Sequence, residues 1–179
     1  MHGSLHYTRI STEFGEIILI WRTHEFKVKR ILIPPHSGLL ETAYPSATEA
    51  TTPEISSLVE EVTLFLRGEP VEFKLDLLDF NLCSEFQMEV LKAEHGIPRG
   101  WVSTYGRIAR HLGRNEGARA VGRALATNPF PLLIPCHREV RGNGELGGFQ
   151  GGVAMKRRLL EMEGIEMMGN RVRMRRVFY

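Results

Sequence analysis

Asn128-Pro129-Phe130-Pro131-Leu132-Leu133-Ile134-Pro135-Cys136-His137-Arg138 runs from a turn signal through a short apolar stretch into a thiol, an imidazole and a guanidinium. The apolar stretch reads as a buried strand, and a strand ending in Cys-His places a thiol at the edge of a core with a base beside it. Neighbouring side chains of an extended strand point to opposite faces, so direct contact between Cys136 and His137 requires a bend or an intervening water. An imidazole and nearby arginines would lower the thiol pKa and favour a thiolate nucleophile. The plainer reading is a small core hydrophobe, as most free cysteines are, and these residues alone favour it.

Upstream, Ser84-Glu85-Phe86-Gln87 has the spacing of a capping box, opening a helix with Phe86, Val90 and Leu91 inward. Gly96-Ile97-Pro98-Arg99-Gly100 ends it. Two helical segments follow, 105–112 and 115–126, joined at Gly113, with Arg119 and Arg123 on the second. This is the pattern of a helix-turn-helix, although many such pairs never touch DNA. The front of the chain reads as α/β. Residues 16–21 and 26–33 are β-rich runs around a hairpin at Thr23-His24-Glu25, and Pro34 and Pro35 stop the second. Residues 35–51 read as loop. Thr52 then caps a helix with Pro53 in its first turn and Ile55, Leu58, Val59, Val62, Phe65 and Leu66 on one face, ending at Gly68. Residues 71–77 read as a returning strand, and the break between halves falls near 78–83. No internal repeat is visible.

The 179 residues, 20.3 kDa, suffice for one ordinary domain or two small ones. With 42% hydrophobic and 25% charged residues, the chain has enough apolar surface to exclude a largely disordered state. No apolar run approaches the roughly 20 residues of a membrane span. Glu13 and Glu16 interrupt the region where a signal peptide would be apolar, and two cysteines make no disulfide framework, so a reducing intracellular compartment is expected. The charge is uneven. Residues 1–98 carry 8 Lys+Arg against 15 Asp+Glu, whereas residues 99–179 carry 15 against 6, and fourteen of those fifteen are arginine. An arginine-rich half suits contacts with a polyanion, and equally a solvated basic face.

The residues from 84 to 166 resemble the O6-alkylguanine-DNA alkyltransferases, also called methylated-DNA–protein-cysteine methyltransferases. The resemblance rests on Ile134-Pro135-Cys136-His137-Arg138, on Phe86 and Val90-Leu91, and on Thr104-Tyr105-Gly106. It continues through Ala118-Arg119-Ala120-Val121-Gly122, Asn128-Pro129, Gly147, Gly151-Gly152, Lys156, Leu159-Leu160 and Glu163-Gly164, in order and at the right spacing. The front half is similar only in size and α/β pattern.

That resemblance implies a small N-terminal α/β, ribonuclease H-like domain over 1–80. A mostly helical, winged-helix-like domain with a helix-turn-helix would follow over 81–179. It implies single-turnover DNA repair, with an alkyl group passing from guanine O6 to Cys136. His137 would take the thiol proton through a water, Glu163 would orient the imidazole, and Tyr105 would donate to purine N3. Asn128 would support the loop around the cysteine. Arg119 would fill the space of a flipped base, with its helix in the minor groove. Ala118, Ala120, Gly122, Arg123 and Arg138 would join it on the DNA. Pro131, Glu139, Gly147, Phe149, Gln150 and Gly151 would line the substrate pocket, with Pro131 and Gly147 leaving room for a benzyl group. The family usually has valine at position 139, and an acid there would raise the thiol pKa. Neither metal nor cofactor is expected, since the front half lacks a cysteine cluster and His2, His6, His24 and His36 read as scattered surface residues. The partner implied is double-stranded DNA carrying O6-alkylguanine, bound by a monomer in the cytoplasm, or in the nucleus of a eukaryote, with no membrane. Cys83 reads as a bystander at the domain joint. The alternatives are a non-catalytic alkyltransferase-like lesion binder, in which the cysteine is commonly tryptophan, a helix-turn-helix regulator, and a cysteine hydrolase.

Overall fold

The structure is a computed structural model that describes residues 3–24 and 26–179. Glu25 of the expected hairpin and His2 lie outside the described residues. The chain divides into two compact units, one of Met1–Leu82 with Pro129–Leu133 and one of Cys83–Asn128 with Ile134–Tyr179.

The first unit is built on a four-stranded mixed sheet. Strands β1 (Leu5–Thr12), β2 (Gly15–Arg22) and β3 (Lys27–Leu32) are antiparallel neighbours, and β4 (Thr48–Glu49) lies parallel to β1. A single turn of helix, α1 (Leu40–Ala43), interrupts the expected loop ahead of β4. On β2 every residue from 17 to 21 is buried, which explains its continuous apolar run: both faces of this central strand are covered. Ile18 and Ile20 pack with Leu32 and Leu40, and helix α2 (Pro53–Leu66) packs on β1. Thr52 caps α2, its Oγ1 accepting from the Ile55 amide at 3.3 Å. All the residues expected on its inner face are buried except Val59, which is half-buried.

Two expected strands are not strands. Residues 71–77 alternate apolar and polar, yet no ladder to β3 forms along them: an isolated bridge between Leu78 and Val28 follows the segment, and residues Leu75–Leu77 close into a 3-10 turn. Without a ladder partner the alternation builds no strand. Leu132 has φ of 77°, which turns the chain inside the apolar stretch before Cys136. That stretch is buried as expected, but as a turn.

The second unit holds four helices, α3 (Glu85–His95), α4 (Tyr105–His111), α5 (Ala118–Ala126) and α6 (Gly152–Met162). Its core is Val102, Val140, Leu146, Leu160, Ile165 and Val172, closed by the small hairpin of β7 (Met167–Met168) and β8 (Arg171–Val172). Strand β5 (Ser103–Thr104) pairs in parallel with β6 (Glu139–Val140), so the chain entering α4 lies beside the chain leaving Cys136-His137-Arg138. Thr104 caps α4 through the Arg107 amide. The capping box of α3 is only half made. Ser84 Oγ accepts from the Gln87 amide, but Gln87 Nε2 donates to the Ala124 and Thr127 carbonyls and to Thr127 Oγ1. It thereby serves carbonyls that the end of α5 leaves open.

Replacing Gln87 with Ala removes its three bonds to the end of α5, although Thr127 is exposed and the Ala124 carbonyl still accepts from Thr127 Oγ1. The expected cost is about 0.5–1.5 kcal/mol of folding free energy, with faster amide exchange in the last turn of α5, measured by urea unfolding and hydrogen exchange.

Candidate active site

Cys136 opens a 3-10 turn, Cys136–Arg138, directly before β6. It is 6% exposed, and Asn128 Nδ2 donates to its sulfur at 3.4 Å and to the Ile134 carbonyl at 3.3 Å. Asn128 is itself buried, so one amide ties the thiol to the backbone that precedes it. Burial pushes the Cys136 thiol up to about 12, with the Asn128 hydrogen bond and Lys156 pulling down and Glu94 pushing further up. This corrects the expectation of a lowered thiol. The nearby guanidinium is committed elsewhere, and desolvation favours the neutral S–H.

That guanidinium belongs to Arg138. It is buried, and it forks onto Glu163, Nε to Oε2 at 2.9 Å and Nη2 to Oε1 at 3.0 Å, while Nη1 donates to the Ile97 carbonyl at 2.6 Å. Arg138 was expected on the DNA; it is instead an internal partner of Glu163. His137 is fully buried, with Nε2 2.8 Å from Glu163 Oε1, and the Gly100 amide adds a donor to Oε2. Burial would raise the Glu163 carboxyl, but His137 and Arg138 outweigh it and hold the group down at about 2. Because Glu163 is therefore ionised, His137 carries its proton on Nε2 and its basic lone pair on Nδ1. Burial lowers the His137 pKa against the pull of Glu163, which keeps the ring neutral. Helix α6 supplies Lys156 and, at its C-terminal end, Glu163, two turns apart on one face.

Tyr105 begins α4. Burial, then Glu139, Glu94 and Cys136, push its phenol up to about 12, so it stays a hydrogen-bond donor at neutral pH. Gly147 has φ of 70°, and a Cβ there would lie 3.0 Å from the Tyr105 hydroxyl, so glycine is needed for both backbone and space. Gly122, expected on the DNA, faces the Tyr105 ring, where a Cβ would meet it at 3.6 Å. Phe149 stands edge-on to His137 with centroids 6.3 Å apart, and Gln150 Nε2 donates to the Asn128 carbonyl at 2.7 Å. Gly151 is half-buried and precedes α6, and Pro131 is buried within the first unit.

Arg119 and Arg123 stand one turn apart on α5, both exposed. Ala118 and Ala120 beside them are half-buried. A cleft of about 640 Å³ opens next to Tyr105, lined by Thr104, Arg107, Arg110, Ala118 and Arg141. Three arginines around one cleft were not singled out from sequence, because only the turn after β6 brings Arg141 to α4. Glu94 was missed too. It follows Val90 and Leu91 at helical spacing, so it falls on the apolar face of α3 and is buried there. Glu139 is buried, and its carbonyl accepts from Lys156 Nζ at 2.5 Å. Among the described residues no three His, Cys, Asp or Glu side chains are arranged to hold a metal ion, and no helix is long and apolar enough to cross a membrane.

Residues 85–165 match the family model of the 6-O-methylguanine DNA methyltransferase DNA-binding domain. The chain is 44% identical over 132 residues to a methylated-DNA–protein-cysteine methyltransferase of Methanothermobacter thermautotrophicus, covering 73% of this chain and 74% of that one. To the protein of the same name from Mycobacterium bovis it is 34% identical over 162 residues, covering 89% and 92%. Among solved structures it is similar to Mycobacterium tuberculosis OGT in complex with DNA, with a TM-score of 0.75 at 32% identity over 88% of this chain and 92% of that one. The O6-methylguanine-DNA methyltransferase of Pyrococcus kodakaraensis gives a TM-score of 0.59 at 25% identity over 89% and 99%. The α/β fold, a mixed sheet plus helices, is shared with these structures.

The Glu163 network generates an acid-side prediction. A carboxylate held at about 2 against an ordinary 4.5 contributes on the order of 3 kcal/mol above pH 4.5, lost as pH falls toward 2. His137 adds to this loss, because the unfolded chain takes up its proton first as pH drops below about 6.5. Glu163→Gln should cost about 3–5 kcal/mol at neutral pH by stranding Arg138, and should flatten the stability curve below about pH 4.5. Denaturant titrations across pH check this; a variant that keeps the acid slope contradicts it.

Proposed function

This chain belongs to the family of methylated-DNA–protein-cysteine methyltransferases, and on that premise we propose that Cys136 is the residue that receives the alkyl group. The protein repairs DNA by alkyl transfer to cysteine. In the proposed step Cys136 Sγ attacks the alkyl carbon on guanine O6 as the C–O6 bond breaks. The thiol proton passes through a water to Nδ1 of His137 and returns through solvent to the departing base, leaving a thioether and guanine. The observation that carries this reading is a buried thiol, tethered by Asn128, beside an imidazole whose Nε2 is held by an ionised Glu163. A thiol up at about 12 is protonated at rest, so a base must take its proton as attack proceeds. Tyr105 donates to N3 and stabilises charge on the leaving base. The thioether is not displaced by water, so each molecule acts once.

The substrate is O6-alkylguanine in duplex DNA. A base in the stack cannot reach a buried sulfur, so the nucleotide is flipped out. Helix α5 enters the minor groove and Arg119 fills the vacated space, while Arg123 and the arginines of the cleft beside Tyr105 hold phosphates. Gly147, Phe149, Gln150 and Gly151 form the loop over the alkyl group. Residues 81–179, a winged-helix-like unit with a helix-turn-helix, bind and react; residues 1–80, a ribonuclease H-like α/β unit, serve as scaffold. The protein works as a monomer wherever the cell keeps its DNA. A non-catalytic lesion binder is the weaker reading, since Cys136, His137 and Glu163 are all in place.

Cys136→Ala should abolish transfer and leave duplex binding within about threefold of wild type, because the groove contacts lie on α5. Cys83→Ala, at a half-buried thiol, should transfer fully. Peptide mass mapping of the alkylated protein checks both, and an alkyl group on Cys83 would overturn the assignment.

Arg119→Ala should slow transfer from paired DNA far more than from a single strand or the free base, because flipping costs a few kcal/mol only where the base is stacked and paired. Arg123→Ala should weaken binding to every duplex and lower the salt slope by about one unit. Transfer rates on the three substrates decide; equal losses for Arg119→Ala would remove the wedge.

A further inference from the structure

Glu94 on α3 and Glu139 on β6 are buried to 0% and 1% exposure, and Glu94 acts on the Cys136 thiol, yet both lie outside the proton path described above. None of their four carboxyl oxygens meets a hydrogen-bond donor among the described residues. The two side chains lie within hydrogen-bonding reach of each other. Carboxylates only accept, so two ionised groups here would repel and leave four buried acceptors empty. One proton turns one of them into a donor and makes an O–H···O bond.

The charged and titratable groups around the pair are few. Lys156 approaches from α6, fully buried, its Nζ donating to the carbonyls of Glu139 and Gly148. Cys136 and Arg138 come from the turn before β6, and Arg138 is engaged by Glu163. Tyr105 comes from α4, with Arg141 acting on it, and Tyr179 from the last residues. With both acids ionised, the set of Glu94, Glu139 and Lys156 carries a net negative charge. With one shared proton it is neutral, which is the state a site without water favours. Burial pushes both carboxyls up in agreement with this.

We propose that Glu94 and Glu139 hold a single proton between them and, balanced against Lys156, set the charge that Cys136 feels, making the two acids positioning residues for alkyl transfer. The proposal rests on Cys136 being the acceptor. While the proton is shared, one negative charge faces one positive charge. When it leaves to solvent, a second negative charge appears beside a sulfur that must itself become negative. Ordinary thiols gain reactivity as pH rises; this one loses it once the pair ionises fully. The buried pair also takes up a proton on folding, so stability contributed by its neutral form falls as pH rises through the pair's folded pKa.

Two measurements test this. Infrared difference spectra of the resting protein in D2O should show a protonated-carboxyl band at neutral pH that disappears in Glu139→Gln. Its absence from the wild type overturns the proposal, however transfer behaves. Single-turnover transfer between about pH 6 and about pH 10 should fall about tenfold on the alkaline side in the wild type and stay level or rise in Glu139→Gln and Glu139→Val. An alkaline fall of the same size in both variants also overturns it. If the wild type carries no alkyl group on Cys136, the assignment of the acceptor fails instead, and the infrared band still decides whether the proton is shared.

Discussion

One carboxylate organises the second unit. Glu163 receives a fork from Arg138, the Nε2 proton of His137 and the Gly100 amide. Each of these is buried, and none would be tolerated there alone. Taking a guanidinium out of water is expensive, and only a forked, fully hydrogen-bonded partner offsets it. The same carboxylate chooses the imidazole tautomer, so the packing that stabilises the unit also sets the direction in which His137 can accept a proton. Structure and chemistry cannot be varied separately at this position.

Around that point the unit is arranged by short elements. The two-residue ladder of β5 on β6 brings the start of α4, and hence Tyr105, to the chain that leaves Cys136. Gly147 lets the following loop pass close to the Tyr105 hydroxyl, and Gln150 ties that loop to Asn128. Asn128 in turn holds the sulfur. The Cys136 thiol is thus tied to Asn128, which the loop after β6 ties in turn through Gln150, while its own burial keeps it protonated.

Much of this was legible in the residues. Caps at Thr52 and Ser84 and the one-sided apolar spacing of α2 read correctly because helix signals are local. The strand expected over 71–77 failed because alternation describes a strand's faces and says nothing of whether a neighbour exists to pair with it. β1 went unread for another reason: only Ile10 of its residues is buried, so its sequence shows no continuous apolar run. That His137 and Glu163 meet was legible only through resemblance, since 26 residues separate the imidazole from the carboxylate that holds it. Arg138, which the resemblance set on the DNA, is turned inward onto Glu163, and nothing local in the sequence announces that partner. Glu94 could have been found, because an acid at the inward spacing of Val90 and Leu91 is an anomaly in the sequence itself.

The arginine-rich stretch has a practical side. Between residues 99 and 179 the sole lysine is Lys156, and its ammonium is enclosed beneath the Glu139 and Gly148 carbonyls. The remaining lysines, at 27, 29, 74 and 92, all precede that stretch. Acylating reagents that attack accessible primary amines therefore find no side chain to modify there. Guanidinium groups keep their charge under such chemistry. Coupling the protein to a surface or a dye through its lysines leaves the fourteen arginines of that stretch charged, and acetylation of lysine offers no way to neutralise them.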